Sequence, residues 1–448
     1  MALLVLSTCG AVATALSWFI AQHSLVGAGW TFVVLIAAWV PLWIAGGWAA
    51  NRIPSRKWAL GAILVTAAAL RIAAVTGTTP SISNDLYRYG WDAHVQLSGV
   101  DPYRYPPDAP QLVRLRTPTY FPGQPECTHL RAGTGPSCTT INRPDARTIY
   151  PPVAEAWFDS VAVADPSQGI RKWQVAGGLV DFATIGLMII GLRELKRDPR
   201  GVAWYALSPL PVIEFAGNGH VDGVGLLLLI AAFLALRRER KFLAGVLIGM
   251  ATMVKLYPGV ALLAGWRQGR LRMLAGAVGV SALAYAPHVA AVGTRIVGYL
   301  PGYLQEEHYS SGRRFLILGL LPVDGKSLVA LAAGTVTIGV VTVLRSNIQP
   351  YLATAVILAV ILLVASPVQP WYAVVLAGLG VMCGAPWLVL PAALAEPYYA
   401  AVILGNQHQI GIGQICYATA ASILLFILMA RSRSSQRVSI GATSSTRL

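Results

Sequence analysis

Apolar stretches close to 20 residues long recur along the whole chain, from residues 3–20 to residues 412–429. A helix of that length crosses about 30 Å of hydrocarbon. Of the 448 residues, 55% are hydrophobic and only 12% are charged, which is about half the charged fraction of a soluble domain. The sequence therefore predicts an integral membrane protein and excludes a soluble globular enzyme.

Twelve such stretches are predicted to cross the membrane, so both termini lie on one side. The basic residues fall mainly in the short loops and tail that this topology places in the cytoplasm, as the positive-inside rule expects. They account for the net charge of +15 without a nucleic-acid partner. The predicted spans are residues 3–20, 31–49, 58–76, 173–192, 203–217, 221–236, 273–292, 328–344, 351–365, 371–384, 387–404 and 412–429.

The predicted fold is an all-α multi-span bundle. One domain covers residues 1–430, and residues 431–448 form a basic, disordered cytoplasmic tail. Loops at about 77–170 and 293–326 face outward and carry short interfacial helices. Residues 242–266 are too short to cross twice between basic flanks, so they are expected to dip into the membrane and turn back at Pro258, which removes a backbone donor.

Asp85 is the first candidate for chemistry, because it lies shortly after the third span, at the water–lipid boundary. A carboxylate there suits a general base, although the same residue suits a helix N-cap. Asp92, seven residues on, shares a helical face with Asp85 and is the second catalytic candidate, or else an ion-pair partner of Arg88. Tyr87 and Arg88 are candidate substrate-binding residues of the same segment.

Aromatic residues mark other outward positions. Tyr103 and Tyr150 lie in Tyr- and Pro-rich turns of the long loop, while Gln369 and Trp371 open a later span. Aromatic rings bind the apolar face of a sugar, but they also anchor proteins at the membrane interface. We include all four as candidate substrate-binding residues.

Titratable groups that interrupt apolar sequence are costly in a membrane and therefore informative. His220 and Asp222 are predicted to orient each other, to bind a metal, or to hold a helix turn through a buried hydrogen bond. Lys255 is expected to face a polar cavity at the turn of the dip, unless it snorkels to the interface. Arg313 and Arg314 suit a phosphate through bidentate hydrogen bonds, and equally an anionic lipid headgroup.

Six motifs, in order, resemble the GT-C superfamily of membrane glycosyltransferases that use polyprenyl-phosphate sugars, particularly actinobacterial-type mannosyltransferases. One difference is that two spans precede the span leading into Asp85, whereas the usual pattern has the acidic loop after the first span. The motifs are NDLYRY (84–89), GVDPY (99–103), TIYPP (148–152), NGHVD (218–222), VKLYP (254–258) and QPWY (369–372).

This resemblance implies a GT-C-like fold and the transfer of a sugar, here mannose, from a polyprenyl-phosphate donor to a lipid or glycan acceptor at the outer face of the cell membrane. It makes Asp85 the catalytic base. We infer in addition that His220, Lys255, Arg313 and Arg314 are candidates for binding the donor phosphate. No cofactor is assigned, and the reaction is either metal-independent or assisted by a divalent metal.

Two other functions fit parts of the sequence. A transporter or flippase of a lipid-linked sugar would place charges near the midplane along a path open to both sides, whereas here the polar groups accumulate at one face. A structural partner in an envelope complex would explain the aromatic loops without needing Asp85. The position of the charged residues favours the enzyme.

Cys127 and Cys138 lie in the only long polar loop. If this loop faces an oxidising compartment, we predict that the two thiols form a disulfide contributing roughly 3 kcal/mol to loop order. Mass spectrometry of alkylated, non-reduced protein is expected to find neither thiol labelled, and two labelled thiols would contradict the bridge.

Overall fold

A computed structural model describes residues 1–23, 28–77, 83–123, 138–167, 169–265 and 269–444, with only the backbone from residue 431 onward. The described chain is 74% helical and contains no strand, which confirms the predicted all-α membrane fold. The longer helices are α1 (Ala2–Gln22), α2 (Gly29–Ala50), α3 (Arg56–Ala74), α4 (Asp85–Leu97), α5 (Pro152–Ala164), α6 (Arg171–Glu194), α7 (Asp222–Arg237), α8 (Lys241–Thr252), α9 (Arg270–Val292), α10 (Leu300–Glu306), α11 (Gly325–Arg345), α12 (Pro350–Ala365), α13 (Trp371–Cys383), α14 (Leu390–Ile403) and α15 (Gln409–Ser444).

Seven helices of the described chain are long and apolar enough to cross a membrane. The predicted spans at residues 351–365, 371–384 and 387–404 correspond to α12, α13 and α14, which are shorter than these seven. The seven long apolar helices are α1, α2, α3, α6, the segment Arg270–Glu306, α11 and the apolar part of α15, Gln409–Ala430.

Cys127 lies outside the described residues, so its bridge to Cys138 stays a prediction. The domain division at residue 430 also stays a prediction.

The predicted separate crossing at residues 203–217 is wrong. This stretch consists of short helical pieces that end in a π-helical turn, Val212–Gly217. Pro209 and Pro211 each remove a backbone donor, which prevents one continuous α-helix. The segment Pro209–Gly217 meets α7 at an angle of 116°, so the two predicted crossings form one sharply bent pair.

Residues 242–265 turn back after a short helix, as the predicted dip requires. Helix α8 has 12 residues and is therefore only about 18 Å long, too short for the hydrocarbon core. It ends before Lys255, and the chain turns back through the single 3₁₀ turn Tyr257–Gly259 into the five-residue helix Val260–Ala264. The carbonyl oxygen of Met253 accepts hydrogen bonds from the amides of Val153 and Ala154, at the start of α5.

Helices α4 and α5 are the short helices of the long loop, and they pack against each other and against the start of α6. An aromatic cluster holds them together: the ring of Tyr89 stacks on Phe158 at 4.4 Å between centroids and lies edge-on to Tyr150 and Trp173. Such ring pairs stabilise packing beyond the area that they bury. The cluster fixes the position of α4, whose first residue is Asp85.

Deep in the bundle, a buried ion pair joins α3 to α6. Arg71 Nη2 lies 2.8 Å from Asp181 Oδ2, and Arg71 Nη1 donates to the carbonyl oxygen of Ala206 at 2.8 Å. Tyr205 donates its hydroxyl to Asp181 Oδ1 at 2.5 Å. These bonds tie the broken segment around residue 206 to two membrane-spanning helices.

Replacing Arg71 with Leu is expected to destabilise the protein by about 3–5 kcal/mol, because it leaves the Asp181 carboxylate buried without its partner. Thermal unfolding in detergent measures the change. The double variant Arg71→Leu/Asp181→Leu is expected to regain most of the loss, whereas a double variant no more stable than the single one would contradict the pairing argument.

Candidate functional site

One cavity of about 770 Å³ lies where the predicted outward segments meet. Its walls come from the start of α4, residues 142–151 of the long loop, the turn at Lys255, the loop around α10, and the ends of α12 to α15. Short basic loops line separate, smaller cavities: Arg56, Lys57, Arg193, Lys196 and Arg197 around one of them, and Arg270 and Arg272 around another. Residues of four of the six sequence motifs thus line one cavity: NDLYRY, TIYPP, VKLYP and QPWY.

Asp85 begins α4 and its side chain is 16% exposed on the cavity wall. Its Oδ1 accepts a hydrogen bond of 2.7 Å from Asn142 Nδ2. The N-cap residue is Asn84, which makes no side-chain capping bond, so the alternative in which Asp85 serves as the helix cap does not describe this structure. Oδ2 faces His220 at 3.9 Å, beyond hydrogen-bonding distance.

His220 lies behind Asp85, fully enclosed by protein. Its ring stacks on Trp371 with 3.8 Å between centroids. Nε2 lies 3.0 Å from the Ser83 hydroxyl, and Nδ1 lies 2.8 Å from Glu214 Oε2. His220 therefore contacts Glu214 rather than Asp222, contrary to the expectation that His220 and Asp222 orient each other.

Asp222 instead forms an ion pair with Lys255. The Lys255 ammonium lies 3.5 Å from Asp222 Oδ2, and Tyr257 donates its hydroxyl to Asp222 Oδ1 at 3.1 Å. The ammonium also lies over the rings of Tyr372 and Tyr150, at 4.6 and 5.5 Å from their centroids. Lys255 faces the cavity between two aromatic rings, which supports the cavity alternative over snorkelling.

Asp92 lies away from the cavity wall, although its partner Arg88 lines it. Both carboxylate oxygens of Asp92 accept from Arg88 Nε at 3.0 Å, and burial raises the pKa of Asp92 although the Arg88 guanidinium opposes this. Tyr103 supports the wall from behind by donating to the carbonyl oxygen of Tyr150 at 2.5 Å. Tyr87 is not on the wall either. The position of Asp92 fits the ion-pair alternative, and its catalytic role stays a prediction.

Charged pairs connect the loop around α10 to the rest of the cavity. Arg143 Nη2 lies 2.7 Å from Glu306 Oε1. Burial opposes the ionisation of Glu306, but the hydrogen bond and charge of Arg143 outweigh it and lower the Glu306 pKa. Arg314 binds the Glu307 carboxylate and carbonyl oxygen and donates to the Tyr398 hydroxyl at 2.6 Å.

Arg313 and Arg314 therefore differ, although they are adjacent. Arg314 is engaged by protein groups, whereas the exposed Arg313 lines the cavity and makes no hydrogen bond or ion pair to the described part of the chain. Gln369 also lines the cavity and donates to Glu307 Oε1 at 3.2 Å. Of the two arginines, only Arg313 has a guanidinium available to a ligand.

Three residues beside the site were not among the predicted site residues. The sequence did not identify Asn142 as a site residue, because an Asn in a long loop is common and can have many structural roles. Glu214 and Glu396 interrupt apolar sequence, and such carboxylates are costly in a membrane, so both carried a usable signal. Within the described ranges, no group of three or more His, Cys, Asp or Glu side chains is arranged to hold a metal ion.

Residues 148–367 match the model of Glycosyltransferase family 87. The matched segment contains most of the cavity wall, from Tyr150 to the segment before Gln369, and it begins after Asp85. No curated protein and no solved structure matches the chain.

Replacing Arg314 with Lys is expected to loosen the loop around α10, because an ammonium cannot bind Glu307 and Tyr398 with the fixed geometry of a guanidinium. Limited proteolysis between residues 293 and 326 measures the change, and we expect cleavage at least several-fold faster. Arg313→Lys is the matched control and should cleave like the unaltered protein. Equal cleavage of both variants would contradict the structural role of Arg314.

Proposed function

We propose that this chain is a membrane glycosyltransferase of the GT-C type, which transfers mannose from a polyprenyl-phosphate donor to a lipid or glycan acceptor; the match of residues 148–367 to the model of glycosyltransferase family 87 supports the reaction class. The observation that carries the proposal is the position of Asp85 on the wall of a cavity whose lining is both basic and apolar. An amphipathic anion needs both kinds of surface. The family favours this activity over a transporter or flippase.

The charge of the cavity favours an anionic donor. Its six basic side chains outnumber its three acidic ones, so the cavity attracts negative charge. Carboxylates bind Arg88, Arg143 and Arg314 closely. Lys255, which lies 3.5 Å from Asp222, and the exposed Arg313 are the best placed for a phosphate. The basic residues are Arg88, Arg143, Arg147, Lys255, Arg313 and Arg314, and the acidic ones are Asp85, Glu306 and Glu307.

The rest of the wall fits the other parts of such a donor. Ile361, Leu362 and Ile410 provide an apolar surface for a prenyl chain, and the rings of Tyr150 and Tyr372 flank Lys255, where the sugar next to a bound phosphate would lie. Stacking on aromatic rings covers the C–H face of a sugar, while polar groups bind its hydroxyls. A phosphate at Lys255 would thus bring the sugar between these rings.

Asp85 is the proposed general base. Asn142 holds Oδ1, so Oδ2 stays free to receive the proton of the acceptor hydroxyl. The acceptor oxygen then attacks the anomeric carbon as the bond to the phosphate oxygen breaks, and the phosphate leaves with the electron pair. Lys255 stabilises the developing charge. Displacement in one step inverts the configuration at that carbon.

We propose that this cavity opens on the outer face of the cell membrane. The basic residues Arg56, Lys57, Arg193, Lys196 and Arg197 gather at the start of α3 and the end of α6, whereas Asp85 follows the other end of α3. Basic loops favour the cytoplasm. The cavity then faces away from the cytoplasm.

Replacing Asp85 with Asn is expected to lower the transfer rate by roughly 10²–10⁴ and to leave donor binding close to normal. The amide keeps the shape and can still accept the bond from Asn142, but it cannot take the proton. The assay incubates purified protein with radiolabelled polyprenyl-phosphate mannose, arabinose or glucose and candidate lipid acceptors. Transfer within a few-fold of the unaltered protein would remove Asp85 as the base.

Asp165→Asn is the matched control, because Asp165 is an exposed carboxylate outside the cavity. It should transfer at the rate of the unaltered protein. Mannose transfer should exceed arabinose and glucose transfer, and a clear preference for another sugar would correct the proposed donor while leaving the reaction class in place.

A further inference from the structure

A second cavity lies at the end of α3 that is far from Asp85. It has a volume of about 330 Å³ and lies between the start of α3 and the loop that follows α6. Like charges that line one cavity repel each other unless an anion offsets them. Five of the lining residues are basic and one is acidic: Arg56, Lys57, Arg193, Lys196 and Arg197, and Asp198.

The acidic side chains of this region are bound by arginines that do not line the cavity. Both oxygens of Asp198 accept hydrogen bonds from Arg200 Nε, at 3.1 and 2.9 Å, and these bonds lower the pKa of Asp198. Glu194, the last residue of α6, accepts from Arg238 Nε at 3.0 Å. Arg56 lies 4.0 Å from Asp198, at the limit of an ion pair. These two carboxylates therefore leave most of the positive charge of the cavity unpaired.

Three of the basic side chains are available to a ligand. The exposed side chains of Lys57, Arg193 and Lys196 make no hydrogen bond or ion pair to the parts of the chain that the structure describes. Lys196 also has a left-handed backbone, with φ 55°, directly after the end of α6. Glycine is the usual residue at this position of a helix end. A lysine held in this conformation indicates a use for its ammonium group.

Apolar surface that faces lipid adjoins the cavity. Both α3 and α6 are long and apolar enough to cross a membrane. On α6, Ile190 lies one turn before Arg193 and is 40% exposed, and on α3 Trp58 follows Lys57 and is 74% exposed. Leu60 is part of the cavity wall itself. A ligand in this cavity thus has its charged part among cations and its apolar part beside hydrocarbon.

We propose that this second cavity binds the headgroup of an anionic membrane phospholipid, at the membrane face opposite to Asp85. In the orientation proposed for the chain, this is the cytoplasmic leaflet. Basic pockets between membrane-spanning helices on that side suit the multiply charged headgroups of phospholipids. Guanidinium groups bind phosphate oxygens in pairs, and the lysines add positive charge. A bound headgroup would offset the repulsion between the basic ends of α3 and α6.

The first test is thermal unfolding of the purified protein in detergent micelles that contain increasing mole fractions of one phospholipid. Phosphatidic acid, whose headgroup is a phosphate monoester, should raise the melting temperature, because a ligand that binds only the folded protein stabilises it. Phosphatidylcholine carries no net charge and should have little effect. An equal rise with both lipids would overturn the proposal.

A pair of variants locates the effect. Lys57→Gln/Arg193→Gln removes one positive charge from each helix, and the half-saturating mole fraction of phosphatidic acid should rise by about tenfold or more. Arg240→Gln/Arg345→Gln is the matched control, because it removes two exposed positive charges from other loops. The control should respond like the unaltered protein. Equal losses in both variants, or no loss in the first, would overturn the site.

Native mass spectrometry measures binding without any unfolding. The unaltered protein and the control should carry added phosphatidic acid, and Lys57→Gln/Arg193→Gln should carry much less. Inorganic phosphate in place of the lipid should raise the melting temperature little, because it lacks the apolar part. A rise equal to that with phosphatidic acid would overturn a phospholipid as the ligand.

The larger cavity is a competing place for an anionic lipid, and Arg313→Gln tests it. This variant should keep the full response to phosphatidic acid. A response lost in Arg313→Gln and kept in Lys57→Gln/Arg193→Gln would place the lipid in the larger cavity and overturn the second site. None of these measurements requires sugar transfer, so a failure of the lipid site leaves the proposed function in place.

Discussion

The site depends on satisfying the backbone where the chain bends inside the membrane. Non-helical backbone in hydrocarbon is tolerated only when protein groups bond its amides and carbonyls. At the bend of 116°, the amide of Asn218 donates to Ile213, the amide of His220 donates to Glu214, and Gln174 Nε2 donates to the Gly217 carbonyl oxygen at 2.6 Å. Because those hydrogen bonds satisfy the backbone, the bend can hold Glu214, His220 and Asp222 within nine positions of the chain.

Close packing holds the bend against α6. A Cβ on Gly177 would lie 2.1 Å from the carbonyl oxygen of Phe215, so only glycine lets the helix approach the π-helical turn this closely. Small residues serve this purpose in membrane bundles generally, because water-driven apolar burial is weak there. A side chain at Gly177 would push away the segment that carries Glu214 and His220.

Sequence reasoning located the site region but not the partners within it. The costly polar residues of an apolar chain, such as Lys255 and His220, identify positions that must face protein or water, and the structure gathers them around one cavity. Sequence reasoning could not predict which of these residues contact each other. Asp85 meets Asn142 and Arg143 meets Glu306 across long stretches of chain, and only the packed structure brings these residues together. The adjacent arginines, Arg313 and Arg314, have the same chemistry in sequence and different roles in space.

The short helix α8 has a mechanical consequence. Its end is bonded to α5 through the Met253 carbonyl oxygen, which accepts hydrogen bonds from the amides of Val153 and Ala154. Tyr150 lies just before α5, and Lys255 just after α8. Two backbone hydrogen bonds thus join the end of α8 to the start of α5. A change in bilayer thickness that displaces one of these helices is therefore expected to displace the other with it, which would keep the spacing between Tyr150 and Lys255.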